Sequence, residues 1–339
     1  MAIATSYNVT SIQGARENLE NVLKTVSPTE TPLFATLSQS AAPKATLNEW
    51  LVDSLSSPEI GGTIDGVDLT ISDASNLIDT RARFGNRVMT LRNIFSVSRQ
   101  AEMIDVAPGG SLFAASKAKS LIELKNSIET AIGSGNDQSA GTSSAAALMA
   151  GLGVWSNPTQ TGNTFDTSLK QGFRAVSGSR VSLASLTESA FRGLLQAVYT
   201  AAGSKGTYNL FASPALMNKI TDYTRSTTAN GNFSFDQDVS GKSLVRSVLT
   251  YISDYSTINI IPDLFLGRVN GTAVSPDTVE ATVNTDRGYL IPGDDTVSLK
   301  FLEGITVQDL PDNGAGKRAF SEAMVTLRVA NPRALGSIV

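Results

Sequence analysis

The chain has 339 residues, of which 41% are hydrophobic and 17% are charged, and its formal net charge is -4. This mixture predicts a folded protein and argues against disorder, while the acidic balance argues against a dedicated nucleic-acid binder, which usually has a basic domain. Because the chain contains no histidine and no cysteine, it excludes Ser-His-Asp triads, thiol nucleophiles, disulfides and zinc sites built from these residues.

The first 45 residues have the character of an arm. They lack the basic and then apolar pattern of a secretory signal, and no segment of the chain approaches the ~18 consecutive apolar residues of a membrane span. The apolar spacing from Leu19 to Val26 predicts one short amphipathic helix, which Pro28 ends. We expect an extended segment in the stretch that follows, "SPTETPLFATL".

Residues 46–98 predict a long hairpin with opposite charges on its two limbs. "TLNEWLVDSL" alternates like a strand, a stretch rich in turn formers follows, and then comes a second strand-like run. The acidic residues of the first limb and tip are Glu49, Asp53, Glu59, Asp65, Asp68, Asp73 and Asp79, with no Lys or Arg among them. The run "TRARFGNRVMTLRNIFSVSRQ" contains Arg81, Arg83, Arg87, Arg92 and Arg99 and no acidic residue.

This division of charge has two interpretations. A hairpin folded back on itself would neutralise its charges internally, whereas one that extends from the body would offer them to neighbouring copies. We favour contact between subunits, because a DNA-binding face would avoid an adjacent acidic run and because arginine suits protein interfaces. The predicted interface residues are Trp50, Asp53, Glu59, Asp65, Asp68, Arg81, Arg83, Arg87 and Arg92.

The strongest helical pattern in the chain begins at about Ser111 and ends at Gly133. Its apolar stripe consists of Leu121, Leu124, Ile128, Ala131 and Ile132, and Lys117, Lys125 and Glu129 lie off that stripe. The pattern predicts a spine helix over residues 111–132.

The remainder of the chain predicts a mixed helix and strand unit. Loops around one short Ala-rich helix are expected over residues 133–170, and Ser185 with Glu188 has the spacing of a capping box that begins a helix ending before Gly203. "YNLFASPALMNKITDYT" reads as a strand and then a helix beginning at Pro214. "INIIPDLFLG" predicts a core strand, and the tail predicts further strands with a turn near Asn313 and Gly314.

Few residues are typical of catalysis or ligand binding. The adjacent Asp294 and Asp295 fit a turn better than a catalytic pair, and the glycine-rich "GSGNDQSAG" lacks the G-K-[ST] of a phosphate loop. Ser111 with Lys117, and Ser213 with Lys219, could be imagined as dyads, but a serine at a helix start is usually a cap. We therefore predict no enzyme, no catalytic residue, no cofactor and no metal site.

The order of features resembles the major capsid proteins of tailed phages with the Hong Kong 97-like fold. The stretches that carry the resemblance are "SPTETPLFATL", "NEWLVDSL", "RNIFSVSRQAEMID", "KAKSLIELKNSIETAIGSG" and "VTLRVANPRALGSIV", in that order along most of the chain. They look like a family of phage capsid proteins formerly of unknown function. No single motif is diagnostic, and the shared order is the signal.

The resemblance implies an α+β Hong Kong 97-like capsid fold and a division into domains. The implied parts are an N-terminal arm at 1–45, an extended loop at 46–98, a peripheral domain at 99–139 and 286–339 containing the spine helix, and an α/β axial domain at 140–285. It also implies a structural protein that assembles from hexamers and pentamers into an icosahedral shell around double-stranded DNA.

The resemblance also implies the partners and the location of the chain. We expect a separate scaffolding protein, a portal, a decoration protein and packaged double-stranded DNA as partners. We also expect synthesis in the host cytoplasm and residence in the virion. The founding member of the fold joins a loop lysine to a neighbour's asparagine, but this chain has no lysine between Ala45 and Ser116. Cohesion is therefore expected to be noncovalent or to come from a decoration protein.

Other functions stay open at the level of the sequence. An encapsulin-type compartment has the same fold, a surface or adhesin protein fits the Ser/Thr-rich composition, and a serine or Mg-dependent hydrolase is the enzyme alternative.

Overall fold

The protein is described by a computed structural model that covers residues 29–55, 58, 60, 61, 65, 66, 81–104, 110–203, 206–223, 249–266, 288–311 and 316–339. The predicted arm helix from Leu19 to Val26 and the predicted turn at Asn313 and Gly314 lie outside these residues. Mixed helices and sheets confirm the predicted α+β class.

The described residues form the following helices and strands. The helices are α1 (Pro32–Thr36), α2 (Arg99–Met103), α3 (Leu112–Ile132), α4 (Leu152–Trp155), α5 (Ser168–Gln171), α6 (Glu188–Ala202) and α7 (Pro214–Tyr223). The strands are β1 (Ser38–Ser40), β2 (Leu47–Val52), β3 (Ala82–Arg87), β4 (Met89–Ser98), β5 (Arg180–Val181), β6 (Thr207–Ala212), β7 (Thr250–Ile252), β8 (Thr257–Pro262), β9 (Gly288–Pro292), β10 (Val297–Leu310), β11 (Gly316–Val329) and β12 (Gly336–Ile338).

The first sheet has the order β1-β10-β11-β4, and the spine helix α3 packs on one of its faces. The helix is present where the sequence predicts it, with Ser111 Oγ accepting a hydrogen bond from the N–H of Ala114. Leu124 and Ile128 of the predicted stripe are fully buried, and the hydroxyls of Ser120 and Ser321 hydrogen-bond at 2.6 Å across the helix and sheet. The apolar period of 3.6 residues therefore decides both the length of α3 and its buried face.

Two expectations near α3 are wrong. The segment "SPTETPLFATL" is not wholly extended, because Pro32 occupies the first turn of α1 with its φ already near the helical value. Glu129, expected off the buried stripe, is only 1% exposed because its carboxylate accepts hydrogen bonds from the N–H groups of Leu33 and Phe34 in α1. A tertiary contact with α1 thus buries a residue that helix periodicity alone places outside.

The second sheet has the order β5-β12-β9-β6-β8-β7 and mixes parallel and antiparallel pairs. Its core side chains pack with α6, and with Leu216 and Ile220 of α7. The predicted capping box is displaced by two residues, because Thr187 Oγ1, and not Ser185, accepts the hydrogen bond from the N–H of Ala190. Gly203 ends α6 in the left-handed conformation, with φ of 68°.

The hairpin is a separate two-stranded ribbon of β2 and β3. The strands are antiparallel, with Leu47 opposite Arg87 at the base and Val52 opposite Ala82 at the far end. The chain then continues as β4, which belongs to the four-stranded sheet, while β9 and β12 belong to the six-stranded sheet. Residues 46–98 therefore contribute strands to two sheets, and so do residues 286–339.

The expected Ala-rich helix before Gly151 is absent, and that expectation is wrong. Within the described segment 133–170, the one-turn helix α4 forms at Leu152–Trp155, after the alanines. Gly151 passes so close to Ser134 that an added Cβ would lie 2.3 Å from the carbonyl oxygen of that residue. The alanine segment itself is held in a bridge, in which Ser139 and Leu148 exchange two backbone hydrogen bonds and the N–H of Thr142 donates to the carbonyl oxygen of Ala145. These contacts override the helix preference of alanine.

Trp155, which α4 places in the interior, is the centre of an aromatic cluster at the base of the hairpin. Its ring centroid lies 5.6 Å from that of Trp50 on β2, 5.7 Å from Phe84 on β3 and 5.5 Å from Phe165. Because side chains from both hairpin strands reach this cluster, the base of the hairpin is part of the main core.

Asn86 of β3 is a buried polar residue that makes hydrogen bonds to distant backbone groups. Its Nδ2 donates to the carbonyl oxygens of Ala150 and Leu327, at 3.1 and 2.8 Å, and its Oδ1 accepts from the N–H of Ala150 at 2.8 Å. The side chain is fully buried. One amide group therefore satisfies backbone groups of two segments that are distant from β3 in the sequence.

We expect Asn86→Ala to lower the free energy of unfolding by about 3 kcal/mol, because it leaves buried backbone groups without partners. Urea unfolding of the unassembled subunit, followed by circular dichroism, measures this change.

Asn48→Ala is the matched control. Asn48 lies directly opposite Asn86 on β2, and its Nδ2 makes no hydrogen bond within the described residues. Its replacement should change the free energy of unfolding by less than about 1 kcal/mol. Equal losses for the two variants would contradict the assigned role of Asn86.

Candidate assembly interface

The hairpin carries opposite charges on adjacent strands, and part of this charge is paired within the chain. Arg81 Nε lies 3.0 Å from Asp53 Oδ2, and Arg83 forms an ion pair with Glu49. The arginine side chains remain 57% and 68% exposed. Exposed ion pairs contribute about 1 kcal/mol or less, so these arginines can exchange their partner for a carboxylate on another molecule.

Arg92 and Arg87 have different surroundings. The guanidinium of Arg92 contacts Glu322 of β11, with Nη2 at 2.7 Å and Nε at 2.8 Å from Oε2, and lies 4.9 Å from the centroid of the Phe320 ring. Arg87 is half-buried at the base of the hairpin, opposite Leu47. Arg92 therefore belongs to the exposed face of the four-stranded sheet, and Arg87 to the junction with the body.

The acidic residues predicted at the tip are described only in part. Asp65 is exposed in a turn, beside Gly66 with φ of 81°, a conformation that favours glycine. Glu59 and Asp68 lie outside the described residues.

Trp50 is a core residue in the isolated subunit. It is 9% exposed and packs on Trp155, so it fixes the hairpin to its own body. Its neighbour Leu51 points to the other face of β2 and is 66% exposed.

Three exposed apolar residues on the hairpin were missed by the sequence analysis. They are Leu51, Leu55 at 93% exposure and Ile60, whose side chain is fully exposed. The signal was present, because strand alternation places Leu51 opposite to Trp50, and Leu55 and Ile60 flank the serines and proline of the turn-rich stretch. Exposed apolar residues grouped in one projecting element are typical of an interaction surface.

The exposed face of the four-stranded sheet extends this surface. Ile94 of β4 is 70% exposed and lies opposite Phe320 of β11. Further along the same face lie Lys300 and Arg328. Burial, together with the nearby positive charge of Arg328, lowers the pKa of Lys300. The face is therefore basic and apolar in character.

Ser111, Lys117 and Asp294, which were considered for catalysis, have structural roles. Ser111 Oγ caps α3 and also hydrogen-bonds Glu102, while Lys117 Nζ lies 3.7 Å from Asp309 Oδ1. Asp294 Oδ1 accepts a hydrogen bond from the N–H of Thr296, as expected in a turn. These contacts leave no Ser/Lys dyad at Ser111.

The described residues contain neither a cluster of metal-binding side chains nor a helix that could span a membrane. Across the described ranges, no three acidic side chains come together in a group that could hold a metal ion. Each helix in the described part of the chain is too short or too polar to span a lipid bilayer.

Comparisons with solved structures show the fold. The capsid of cyanophage A-1(L) aligns with a TM-score of 0.62 at 13% identity, covering 98% of this chain and 97% of that one. The capsid of a native GTA particle aligns with a TM-score of 0.60 at 11% identity, covering 99% of both chains. The SrpI encapsulin of Synechococcus elongatus aligns with a TM-score of 0.50 at 13% identity, covering 98% and 95%.

Comparisons by sequence show the family. No curated protein matches the chain. The family model of the SU10 major capsid protein matches residues 3–339, which is nearly the whole chain. This chain therefore belongs to the SU10 major capsid protein family and is a structural protein of a phage capsid with the Hong Kong 97-like fold, not an enzyme.

Proposed function

We propose that the hairpin of β2 and β3 joins each subunit to a neighbouring copy, and that this contact builds the closed shell around double-stranded DNA. The observation that carries the proposal is the exposure of Leu51, Leu55 and Ile60 on and beside a charged ribbon. Membership of a capsid protein family supplies the partner, which is a second copy of the chain.

Apolar burial provides the affinity in this proposal. Covering a fully exposed leucine or isoleucine stabilises a contact by roughly 1.5 to 3 kcal/mol. The exposed ion pairs Arg81–Asp53 and Arg83–Glu49 add little affinity, but they set register and partner choice when one member pairs with a carboxylate of the neighbour. Trp50 is left out of the proposed contact because it is buried in its own subunit.

The proposed contact is heterologous, since the hairpin and the surface that receives it are different parts of the subunit. Such contacts repeat around a rotation axis and close into rings when the rotation allows it. We assign the receiving surface to the basic and apolar face around Ile94, Lys300 and Arg328, because it complements the acidic and apolar hairpin limb.

The finer parts of the function are proposed on the family and the resemblance. They are hexamers and pentamers of the subunit, a separate scaffolding protein, a portal, a decoration protein, packaged DNA without sequence preference, and synthesis in the host cytoplasm. The absence of lysine from Ala45 to Ser116 supports a shell held by noncovalent contacts, because the crosslink of the founding member starts from a loop lysine.

An encapsulin-type compartment is the second candidate, and the fold similarity to SrpI favours it. The two candidates differ in their contents. Particles isolated from a producing cell should contain nuclease-protected double-stranded DNA if the chain builds a virion, and enzyme cargo if it builds a compartment. The family match favours the virion.

We expect the double variant Arg83→Glu with Arg87→Glu to abolish shell formation while the subunit stays folded. The two charge reversals place glutamates beside the acidic limb of the same hairpin and opposite the carboxylates of the proposed neighbour. Like charges then repel each other in both places. Negative-stain microscopy and light scattering measure assembly, and circular dichroism measures folding. Normal particles would contradict the proposed contact.

The charge swap Glu49→Arg with Arg83→Glu separates the two interpretations of the ion pair. The swap restores opposite charges within the hairpin, so a purely internal pair would regain wild-type assembly. We expect assembly to stay impaired, because the neighbour's carboxylates would then face Glu at position 83. Full recovery would assign Arg83 to its own hairpin.

We expect Leu55→Ser with Ile60→Ser to raise the protein concentration needed for assembly by roughly tenfold or more, since the two lost apolar contacts together weaken the interface by at least ~1.4 kcal/mol. Light scattering over a concentration series measures the threshold. Ile252→Ser, at a 79% exposed residue of β7, is the matched control and should leave the threshold unchanged. An equal shift in both proteins would argue against a specific role of the hairpin.

A further inference from the structure

The carboxyl group of Glu129 joins the spine helix to the segment that precedes the hairpin. Its Oε1 accepts a hydrogen bond from the N–H of Leu33 and its Oε2 accepts one from Phe34, both at 2.7 Å. These N–H groups belong to the first turn of α1, where Thr31 provides no side-chain cap. Glu129 therefore caps α1 from a distant part of the sequence.

Asp263 connects the six-stranded sheet to Glu129. It directly follows β8, is 2% exposed, and accepts the N–H of Phe265 at 2.8 Å through Oδ1. Its side chain also hydrogen-bonds Glu129. An ionised carboxylate can only accept hydrogen bonds, so a bond between two carboxyl groups requires a proton on one of them. The hydrogen bond between Glu129 and Asp263 therefore forms when the two carboxyl groups together carry one proton and one negative charge.

The surroundings favour retention of this proton. Burial, and then the negative charge of Asp263, raise the pKa of Glu129 to about 8, against the opposing effect of the two N–H donors. Helix α1 and residues 264–266 contain no titratable side chain, and Lys125, one turn earlier on α3, is exposed. Within the described residues, Asp263 is therefore the charged group that faces Glu129.

We propose that the Glu129–Asp263 carboxyl pair is a proton-dependent latch that holds α1 on the spine helix. With the shared proton, the pair ties together α1, α3 and the segment after β8. Without it, two negative charges repel each other in a site shielded from water, and release of α1 relieves the repulsion. The latch is independent of the hairpin contact.

The direction of the pH effect follows from the two states of the pair. Release of α1 admits water and moves the pKa of Glu129 down towards its ordinary value of 4.5, whereas that pKa is about 8 when α1 is docked. Docking is therefore strongest below the ordinary pKa. It weakens by up to about tenfold per pH unit as the pH rises from about 4.5 to about 8, and the effect is complete above that pH.

Hydrogen exchange of the full chain tests the latch. The protection of peptides that cover α1, corrected for the intrinsic rate and referred to a peptide of α6, should fall steadily between pH 5 and pH 8 in the wild-type protein. In Asp263→Asn the side-chain amide donates to the Glu129 carboxylate without a shared proton. Its protection should therefore fall much less over this range than that of the wild type, because burial alone still raises the pKa of Glu129.

The outcomes separate the latch from an ordinary structural contact. Constant protection in the wild-type protein, or the same decline in Asp263→Asn as in the wild type, would overturn the proposal. Glu129→Ala should lose protection of α1 at every pH, because it removes the cap. Asp263→Asn is nearly isosteric, so the comparison does not depend on whether the alanine variant folds.

Discussion

The hydrogen bonds of the Asn86 side chain fix the base of the hairpin, and the exposed surface depends on them. One buried amide connects β3 to the backbone of Ala150 and to Leu327 of β11, beside the aromatic cluster around Trp155. Buried contacts of this kind contribute more than the exposed ion pairs further along the ribbon. The direction of the hairpin is therefore set by the core of the subunit.

This arrangement divides the hairpin into two functional parts. The side chains of Trp50 and Phe84 are buried in the interior. Those of Leu51, Arg81 and Arg83 are exposed to solvent. In the free subunit the arginines are paired with carboxylates of the same ribbon, which leaves the apolar residues as the unsatisfied part of its surface. Under the proposed function, apolar contact drives association and the ion pairs choose the register.

Periodic signals in the sequence predicted local elements well and tertiary contacts poorly. The stripe of α3 and the alternation of β2 follow from residue spacing, and both were predicted. The burial of Glu129 depends on α1, far away in the sequence, and the alanine segment pairs through Ser139 and Leu148 instead of forming a helix. The sequence left two alternatives for Arg83, a partner within its own hairpin or a partner on a neighbouring copy. The structure pairs it with Glu49 of the same hairpin.

The four-stranded sheet joins the two ends of the described chain. Strand β1 pairs in parallel with β10, and the hydroxyls of Ser40 and Ser298 meet across 258 residues of sequence. A pairing of such separation forms only after most of the polypeptide has left the ribosome, and it is slow because a long loop must close. Until then β4 emerges without its partner β11 and exposes an open strand edge, which is the kind of surface that aggregates. The four-stranded sheet can therefore be completed only when residues 297–329, near the carboxyl end, are available to pair.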